Sequence, residues 1–189
     1  MRARKQVRLK GFDYSKDGFY FITICSKNRE NIFGDIAVGA DGCRPAQIAL
    51  NDFGRIVDEE LKKSQIIRNE IVLDHYVVMP NHVHCIVVIK QNHMDLTGRQ
   101  GTGRQVKGRQ PSAPTDVVRN RSLSSFVQGF KSAVTTRINT IRNMPGEPVW
   151  QRSFHDHIIR NEHSLNAIRE YIAKNPINWE QDIDNRINL

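Results

Sequence analysis

Short apolar runs, separated by polar and turn-forming segments, predict four β-strands along this chain. Each run is rich in aromatic and β-branched residues, which favour strands. The predicted strands lie over residues 18–26, 70–78, 82–90 and 153–160. Between the first two strands, residues 34–47 contain three glycines and a proline, and this composition predicts a loop.

Three longer segments carry apolar residues at helical spacing and predict α-helices. The first begins at Asn51, a favoured N-cap residue, and the last stops before Pro176, which cannot continue a helix. The predicted helices cover residues 51–67, 122–142 and 162–175. The elements therefore follow the order strand, helix, strand, strand, helix, strand, helix.

The first six elements have the order of a ferredoxin-like split βαβ unit, which predicts an α+β fold. In that topology the sheet is antiparallel, its first and third strands are central, and two helices cover one face. The seventh element is an extra C-terminal helix. We expect a basic arm over residues 1–17, one domain over 18–180 and a tail over 181–189.

The net charge of the chain indicates a class of binding partner. The 189 residues carry a formal net charge of +8, which favours a polyanionic partner, and a nucleic acid is the first candidate. No apolar run approaches the roughly 20 residues that cross a bilayer, and no secretory signal opens the sequence, so a cytoplasmic protein without a membrane partner is expected. Basic residues are concentrated near the N-terminus, where the candidate DNA contacts are Arg2, Arg4, Lys5, Arg8 and Lys10.

Residues 91–116 break the pattern of strands and helices. A Gly-Arg-Gln triplet occurs three times at intervals of five, and no acidic residue lies between Leu96 and Thr115. This composition predicts a flexible, basic insertion. It could follow a DNA phosphate backbone or be an unconstrained surface loop, and in the first case the candidate contacts are Arg99, Arg104 and Arg109.

Two histidines, His82 and His84, begin the third predicted strand. Side chains at positions i and i+2 of a strand point to the same face, so the two imidazoles should project together. Such a pair supplies part of a typical metal site. A His-x-His pattern alone is more often structural, and the partners of the pair therefore decide its meaning.

The predicted C-terminal helix can supply partners. Tyr171 and Asn175 are four residues apart and share one face, beside an apolar stripe formed by Leu165, Ile168 and Ile172. If this helix packs near the third strand, a phenol and an amide oxygen would face the histidine pair. The plainer alternatives are a packed aromatic ring at Tyr171 and a helix cap at Asn175.

Taken in order, these segments resemble the HUH single-tyrosine transposases, and within them the REP-associated tyrosine transposases. Residues 80–84 resemble the family's His-hydrophobic-His motif, and residues 171–176 resemble its tyrosine-helix motif. Residues 8–14 are similar to the family's N-terminus, and residues 150–160 to the segment that leads into the tyrosine helix. The resemblance covers most of the chain, except the basic insertion and the last ten residues.

The resemblance implies a DNA nickase and strand transferase that acts on single-stranded or hairpin-forming DNA. Tyr171 would be the nucleophile and would form a 5′-phosphotyrosine link. A divalent cation, Mg²⁺ or Mn²⁺, would be held by His82, His84 and Asn175, the last standing where relatives often have glutamine. No nucleotide cofactor is needed, because the covalent link conserves the phosphodiester energy. Association with the nucleoid and a possible homodimer are further expectations from the family.

Other residues are candidates for accessory roles. His155 and His157 form a second His-x-His pattern on the fourth predicted strand. They could reach the metal site, contact DNA, or simply be polar residues at a strand end. Lys131 on the second predicted helix is a candidate phosphate contact, although a solvated lysine is common on helices.

Two competing functions are weighed against the transposase. One is a non-catalytic protein that keeps the fold and binds repeat DNA, and the intact motif residues argue against it. The other is a nucleotide hydrolase of the histidine-triad type. That class requires a third histidine two residues after His84, where Ile86 stands instead.

Overall fold

The computed structural model describes residues 11–37, 47–90 and 122–185 of the 189-residue chain. Most of the basic residues predicted from the sequence to contact DNA belong to the N-terminal arm and to the insertion. Those predictions concern residues outside the described ranges, namely Arg2, Arg4, Lys5, Arg8, Lys10, Arg99, Arg104 and Arg109.

The described residues form six strands and three α-helices, and two short 3₁₀-helices. The strands are β1 (Gly18–Cys25), β2 (Gly34–Ala37), β3 (Gln47–Leu50), β4 (Ile71–Val78), β5 (His82–Ile89) and β6 (His155–Ile159). The α-helices are α1 (Asp52–Ile67), α2 (Leu123–Arg142) and α3 (Glu162–Lys174). The 3₁₀-helices are Lys27–Arg29 and Trp179–Gln181.

Four strands form one antiparallel sheet in the spatial order β4, β5, β1, β6. The central strands β1 and β5 are the first and third of the four strands that the sequence predicts. The α+β, ferredoxin-like fold is therefore confirmed. Among the helices that the structure describes, none is both long and apolar enough to span a membrane.

A small hairpin corrects the loop predicted over residues 34–47. The ends of that segment belong to β2 and β3, which pair antiparallel with Ile36 opposite Ile48. Each strand has four residues. A strand of four residues is too short to show a clear alternation of apolar and polar residues. The glycines and proline between the two strands therefore dominate the sequence pattern and predict a loop.

Helices α1 and α2 cover one face of the sheet. Asn51 caps α1, because its Oδ1 accepts hydrogen bonds of 3.0 Å from the N–H groups of Phe53 and Gly54. Ser122 caps α2 and forms a capping box with Ser125. The core beneath these helices contains alternate residues of the central strands, including Tyr20, Ile22, Ile24, Val83, Cys85 and Val87.

Helix α3 packs on the opposite face of the sheet. Leu165, Ile168 and Ile172 of α3 belong to a second apolar cluster with Phe21 and Ile86 of the central strands. Successive residues of a strand point to opposite faces, so the even-numbered residues of β5 face α3. The fold thus brings the tyrosine-bearing helix and the histidine pair to one side of the sheet.

A glycine in α1 permits close packing against the chain that enters β2. A Cβ atom on Gly54 would lie 2.0 Å from the carbonyl oxygen of Phe33, whereas one on Gly129 of α2 meets Arg68 at 3.5 Å. Gly54→Ala should therefore lower the free energy of unfolding by about 2–3 kcal/mol. The matched variant Gly129→Ala should raise it by about 0.5–1 kcal/mol through helix propensity. Urea unfolding measures both, and a Gly54→Ala protein as stable as the Gly129→Ala protein would contradict this account.

Candidate active site

The two histidines of β5 form the floor of the candidate site. His82 is fully buried and His84 is 2% exposed, and their ring centroids are 4.3 Å apart. β5 pairs with β1 on one side and with β4 on the other, which holds the backbone of both residues. The sequence prediction that both rings point to the same face is confirmed.

The ring of His82 is oriented by Asn81. The Nδ2 group of Asn81 donates its two hydrogens to the carbonyl oxygens of Arg29, at 3.1 Å, and Asp184, at 2.9 Å. Its Oδ1 must then accept from His82 Nδ1–H, at 2.8 Å. This assignment leaves the lone pair of His82 on Nε2, which faces α3 without a hydrogen-bond partner among the described residues.

The ring of His84 is held in a comparable way. Its Nδ1 lies 2.9 Å from Thr23 Oγ1 of β1, and its Nε2 lies 3.2 Å from the hydroxyl of Tyr171. When Nδ1–H donates to Thr23, the Tyr171 hydroxyl donates to Nε2. Both imidazoles thereby present Nε2 towards α3, with Nδ1 fixed by a neighbouring oxygen, as in many metal-ligating histidines.

Both histidines are neutral at physiological pH. The pKa of His82 is lowered to about 3, mainly by burial and also by the nearby charge of Arg29. Burial also lowers the pKa of His84 well below its usual value, and the neighbouring His82 lowers it as well. The neutral ring is the form that binds a metal ion.

Helix α3 brings the two residues that the sequence predicted as partners of the histidines. Asn161 caps the helix by accepting a 2.8 Å hydrogen bond from the N–H of Ser164. Ten residues after this cap, the ring of Tyr171 lies 5.2 Å from that of His84. Asn175, at the C-terminal end of α3, is 2% exposed. The helix therefore places a phenol and a carboxamide beside the histidine pair.

A carboxylate that the sequence analysis missed completes this group. Asp182 is buried, and its ligand atom lies within 4.8 Å of those of His82 and His84. Asn175 Nδ2 donates to Asp182 Oδ2 at 2.6 Å, which turns Asn175 Oδ1 away from the carboxylate. Asp182 follows α3, in a segment without apolar periodicity. The only feature of the sequence that points to Asp182 as a site residue is its closeness to the tyrosine helix.

The segment that carries Asp182 is tied to the sheet. Arg29 forms an ion pair of 2.7 Å with Asp184 and donates a hydrogen bond of 3.0 Å to the carbonyl of Ile183. The ring of Trp179 lies 5.9 Å from that of His82. Residues 179–184 therefore form one wall of the candidate site.

The group of side chains suits a divalent cation. His82 Nε2 and Asn175 Oδ1 are buried acceptors without a hydrogen-bond donor among the described residues. Buried acceptors of this kind carry a large free-energy cost unless a proton donor or a cation satisfies them. Two imidazole nitrogens with amide and carboxylate oxygens form a donor set that fits Mn²⁺ and related ions.

Tyr171 is protonated in this arrangement. The pKa of its phenol is raised to about 12, mainly by burial and also by the carboxylates of Asp182 and Asp184, while a hydrogen bond with Asn175 opposes them. The residue is nevertheless 42% exposed, although its hydroxyl contacts the buried His84. Part of the side chain is therefore open to a group outside the protein.

The second His-x-His pair lies on the same face of the sheet but on its edge. His155 stands opposite Thr23, and His157 stands opposite Phe21, on β6. Both side chains are exposed. The metal-ligand group found among the described residues does not include them. Their accessory role stays a prediction.

Lys131 has partners within the protein. Its Nζ donates to the carbonyl oxygens of Gln151 and Ser153, both at 2.9 Å, and lies 5.9 Å from the centre of the Phe154 ring. Burial lowers the pKa of this amine to about 8. The lysine thus joins α2 to the segment that leads into β6, and a phosphate contact stays a prediction.

The fold is that of the REP-associated tyrosine transposases. A solved structure of a REP-associated tyrosine transposase bound to a REP hairpin matches with a TM-score of 0.56 and 19% sequence identity. The match covers 91% of this chain and 74% of that chain. At the level of fold, the resemblance seen in the sequence is confirmed.

A sequence relative shows the family of this chain. An uncharacterized protein of Haemophilus influenzae (strain Rd) is 37% identical over 180 residues, which are 95% of this chain and 91% of the relative. No family model matches the sequence. The chain belongs to the same family as the Haemophilus protein.

The buried histidines make the stability of the metal-free protein depend on pH. Below the ordinary histidine pKa of 6.5, the unfolded chain gains a proton at His82, while the folded chain does not until about pH 3. Stability should therefore fall as pH decreases from 6.5, by about 1.4 kcal/mol per pH unit for this histidine.

Urea unfolding in the presence of a chelator, at several pH values from about 7.5 down to about 5, measures this dependence. In His82→Gln, the slope of the free energy of unfolding against pH should decrease by the contribution expected for one histidine. An unchanged slope in this variant would show that His82 titrates normally in the folded protein.

Proposed function

We propose that this protein is a metal-dependent DNA nickase and strand transferase, a tyrosine transposase that acts on single-stranded or hairpin-forming DNA. One observation carries the proposal. The phenol oxygen of Tyr171 lies 3.2 Å from Nε2 of His84, in the same group of side chains as the two unsatisfied acceptors of His82 and Asn175. A candidate nucleophile and candidate cation ligands thus belong to one group of side chains.

The cation would be held by His82, His84, Asn175 and Asp182. Asp182 adds a negative charge to the ligands that the sequence suggested, and carboxylate oxygen suits Mg²⁺ and Mn²⁺. When bound, the ion supplies Lewis-acid polarisation of a DNA phosphate and lowers the pKa of a nearby hydroxyl. The neutral histidines are ready to bind it without releasing protons.

Tyr171 would attack the phosphorus of a phosphodiester placed at the exposed side of its ring. The Tyr171 Oη–P bond forms and the P–O3′ bond breaks, so the 5′ phosphate becomes attached to the tyrosine. The phenol proton ends on the departing 3′ oxygen, and no water or nucleotide is consumed. Attack by another 3′-OH reverses the step and completes strand transfer.

The raised pKa of Tyr171 explains why the cation matters. At neutral pH a phenol with a pKa of about 12 is almost entirely protonated and is a weak nucleophile. The negative charges of Asp182 and Asp184 contribute to this raised pKa. A cation held by Asp182 would offset the charge of that carboxylate and favour the phenolate, which would couple nucleophile activation to occupancy of the site.

A single chain contains the proposed site. Tyr171 contacts His84 of its own chain, which supports action in cis, and a homodimer stays a prediction. DNA is the partner that the net charge of +8 favours. The structural neighbour is bound to a REP hairpin, and by analogy we propose a hairpin-forming substrate. Action on genomic DNA would place the protein in the cytoplasm, at the nucleoid.

End-labelled oligonucleotides test the proposal. The probes are hairpin-forming single strands, with the corresponding blunt duplexes as controls. In Mn²⁺ or Mg²⁺, we expect nicking of the single strands and a covalent adduct on denaturing gels, and neither in the presence of EDTA. Tight binding of the probes without nicking in either metal would instead favour the non-catalytic repeat-binding protein.

A further inference from the structure

Helix α3 rests on the sheet through a narrow apolar contact, although it carries the proposed nucleophile. Leu165 and Ile172 are its buried residues. Apolar contacts are non-directional, so they favour docking of the helix without fixing how far it slides or turns. A directional contact is needed to set the position of Tyr171.

A β-bulge in β4 supplies the residue for such a contact. The pairing of β4 with β5 shifts register between Leu73 and Tyr76, so that Asp74 and His75 together stand opposite Ile86. Ile86 faces α3, and Asp74 lies on the same face of the sheet. The carboxylate of Asp74 contacts α3 there.

Asp74 forms a bidentate ion pair with Arg169 of α3. Arg169 Nε donates to Asp74 Oδ2 at 2.7 Å, and Nη2 donates to Asp74 Oδ1 at 2.6 Å. The third guanidinium nitrogen, Nη1, donates to Asn166 Oδ1 at 3.0 Å, which holds the arginine against its own helix. Two parallel N–H···O bonds between planar groups fix direction as well as distance.

We propose that Asp74 and Arg169 are positioning residues for Tyr171, an inference that rests on the proposed function. Arg169 is two residues before Tyr171 on the same helix, so the ion pair sets the slide and rotation of the phenol. The hydroxyl of Tyr171 is 3.2 Å from His84 Nε2. A displacement of about 1 Å is enough to slow an in-line attack by up to about a hundredfold.

Single-turnover kinetics with a hairpin oligonucleotide and Mn²⁺ test the role of the pair. Asp74→Asn and Arg169→Met should slow adduct formation at saturating DNA by roughly 10- to 100-fold. Arg169→Lys keeps the charge but loses the bidentate geometry, so its rate should lie between those of Arg169→Met and the wild type. The dissociation constant for DNA should change by less than about threefold in each variant.

The two single variants also separate positioning from DNA binding. If Arg169 contacted a phosphate instead, Arg169→Met would weaken DNA binding and reduce its salt dependence. Asp74→Asn would then release the guanidinium and leave binding as tight or tighter, without slowing the reaction at saturation. That pattern would overturn the inference.

An ion pair between helices α1 and α2 provides the matched control. Arg137 of α2 donates to Glu59 and Glu60 of α1, at 2.6 and 3.0 Å, on the other face of the sheet. Arg137→Met removes the same side chain from a comparable contact that does not touch α3. It should leave the single-turnover rate unchanged, and an equal loss in both variants would mean that the effect reflects general stability.

A readout independent of activity completes the test. The ring of Tyr171 lies 5.2 Å from His84 and 6.1 Å, edge-on, from Phe21, so its NMR signals should carry ring-current shifts. In protein with ¹³C-labelled tyrosine, Asp74→Asn and Arg169→Met should move these signals, and Arg137→Met should not. Unmoved signals would overturn the inference, whereas an inactive wild type with moved signals would count against the proposed function alone.

Discussion

Tyr171→Phe is expected to abolish the covalent protein–DNA adduct and to leave DNA binding intact. The substitution removes one oxygen, the atom that would attack phosphorus, and keeps the ring packed against His84 and Phe21. Removal of a nucleophile lowers turnover by about a thousandfold or more in well-studied enzymes. Denaturing gels of Mn²⁺ reactions measure the adduct, and a filter-binding or anisotropy titration measures DNA affinity.

Tyr76→Phe is the matched control for this experiment. Tyr76 is half-buried on the other face of the sheet, and its hydroxyl donates to Asp58 Oδ1 at 2.7 Å. Its loss should cost about 1 kcal/mol of stability and leave the adduct unchanged. An adduct that persists in Tyr171→Phe at the wild-type level would show that another residue is the nucleophile.

Loss of the metal ligands is expected to have the second large effect. Binding of Mn²⁺ at a hundred times its dissociation constant should raise the free energy of unfolding by about 2.7 kcal/mol. His82→Ala and His84→Ala should eliminate this increase, because each removes one of the two nitrogen donors. The same variants should lose nicking in Mn²⁺, and urea unfolding with and without the ion measures the first effect.

The oxygen donors and the second histidine pair refine this prediction. Asp182→Asn keeps the size of the side chain and removes its charge, so Mn²⁺ affinity should fall by roughly 10- to 100-fold. Asn175→Ala should weaken binding as well, since its Oδ1 is one of the unsatisfied acceptors. His157→Ala, on the edge strand, should bind Mn²⁺ as the wild type does. Equal losses in His157→Ala and His84→Ala would contradict the assignment of the site.

The features predictable from the sequence are those governed by local periodicity. His82 and His84 share a face because side chains on a strand alternate, and Tyr171 and Asn175 share one because positions four apart on a helix are neighbours. The order of the elements was enough to predict which strands are central. These rules need only nearby residues, and the structure bears them out.

The features that could not be predicted depend on contacts between residues that are far apart in the sequence. Asp182 reaches the histidines through a segment without periodicity, held by Arg29 and Asn81 from other parts of the chain. The bulge at Asp74 becomes visible only when β4 is paired with β5. Lys131 resembles a solvated lysine in the sequence, yet it donates to two backbone carbonyls.

Mass spectrometry of the trapped adduct tests the central claim most directly. After reaction with a hairpin oligonucleotide in Mn²⁺, nuclease trimming and trypsin digestion, the peptide Glu170–Lys174 should carry the mass of a nucleotide joined through phosphate to Tyr171. Its absence after EDTA treatment should confirm the need for a cation. A nucleotide found on any other residue, or no adduct under conditions in which the DNA is bound, would contradict the account.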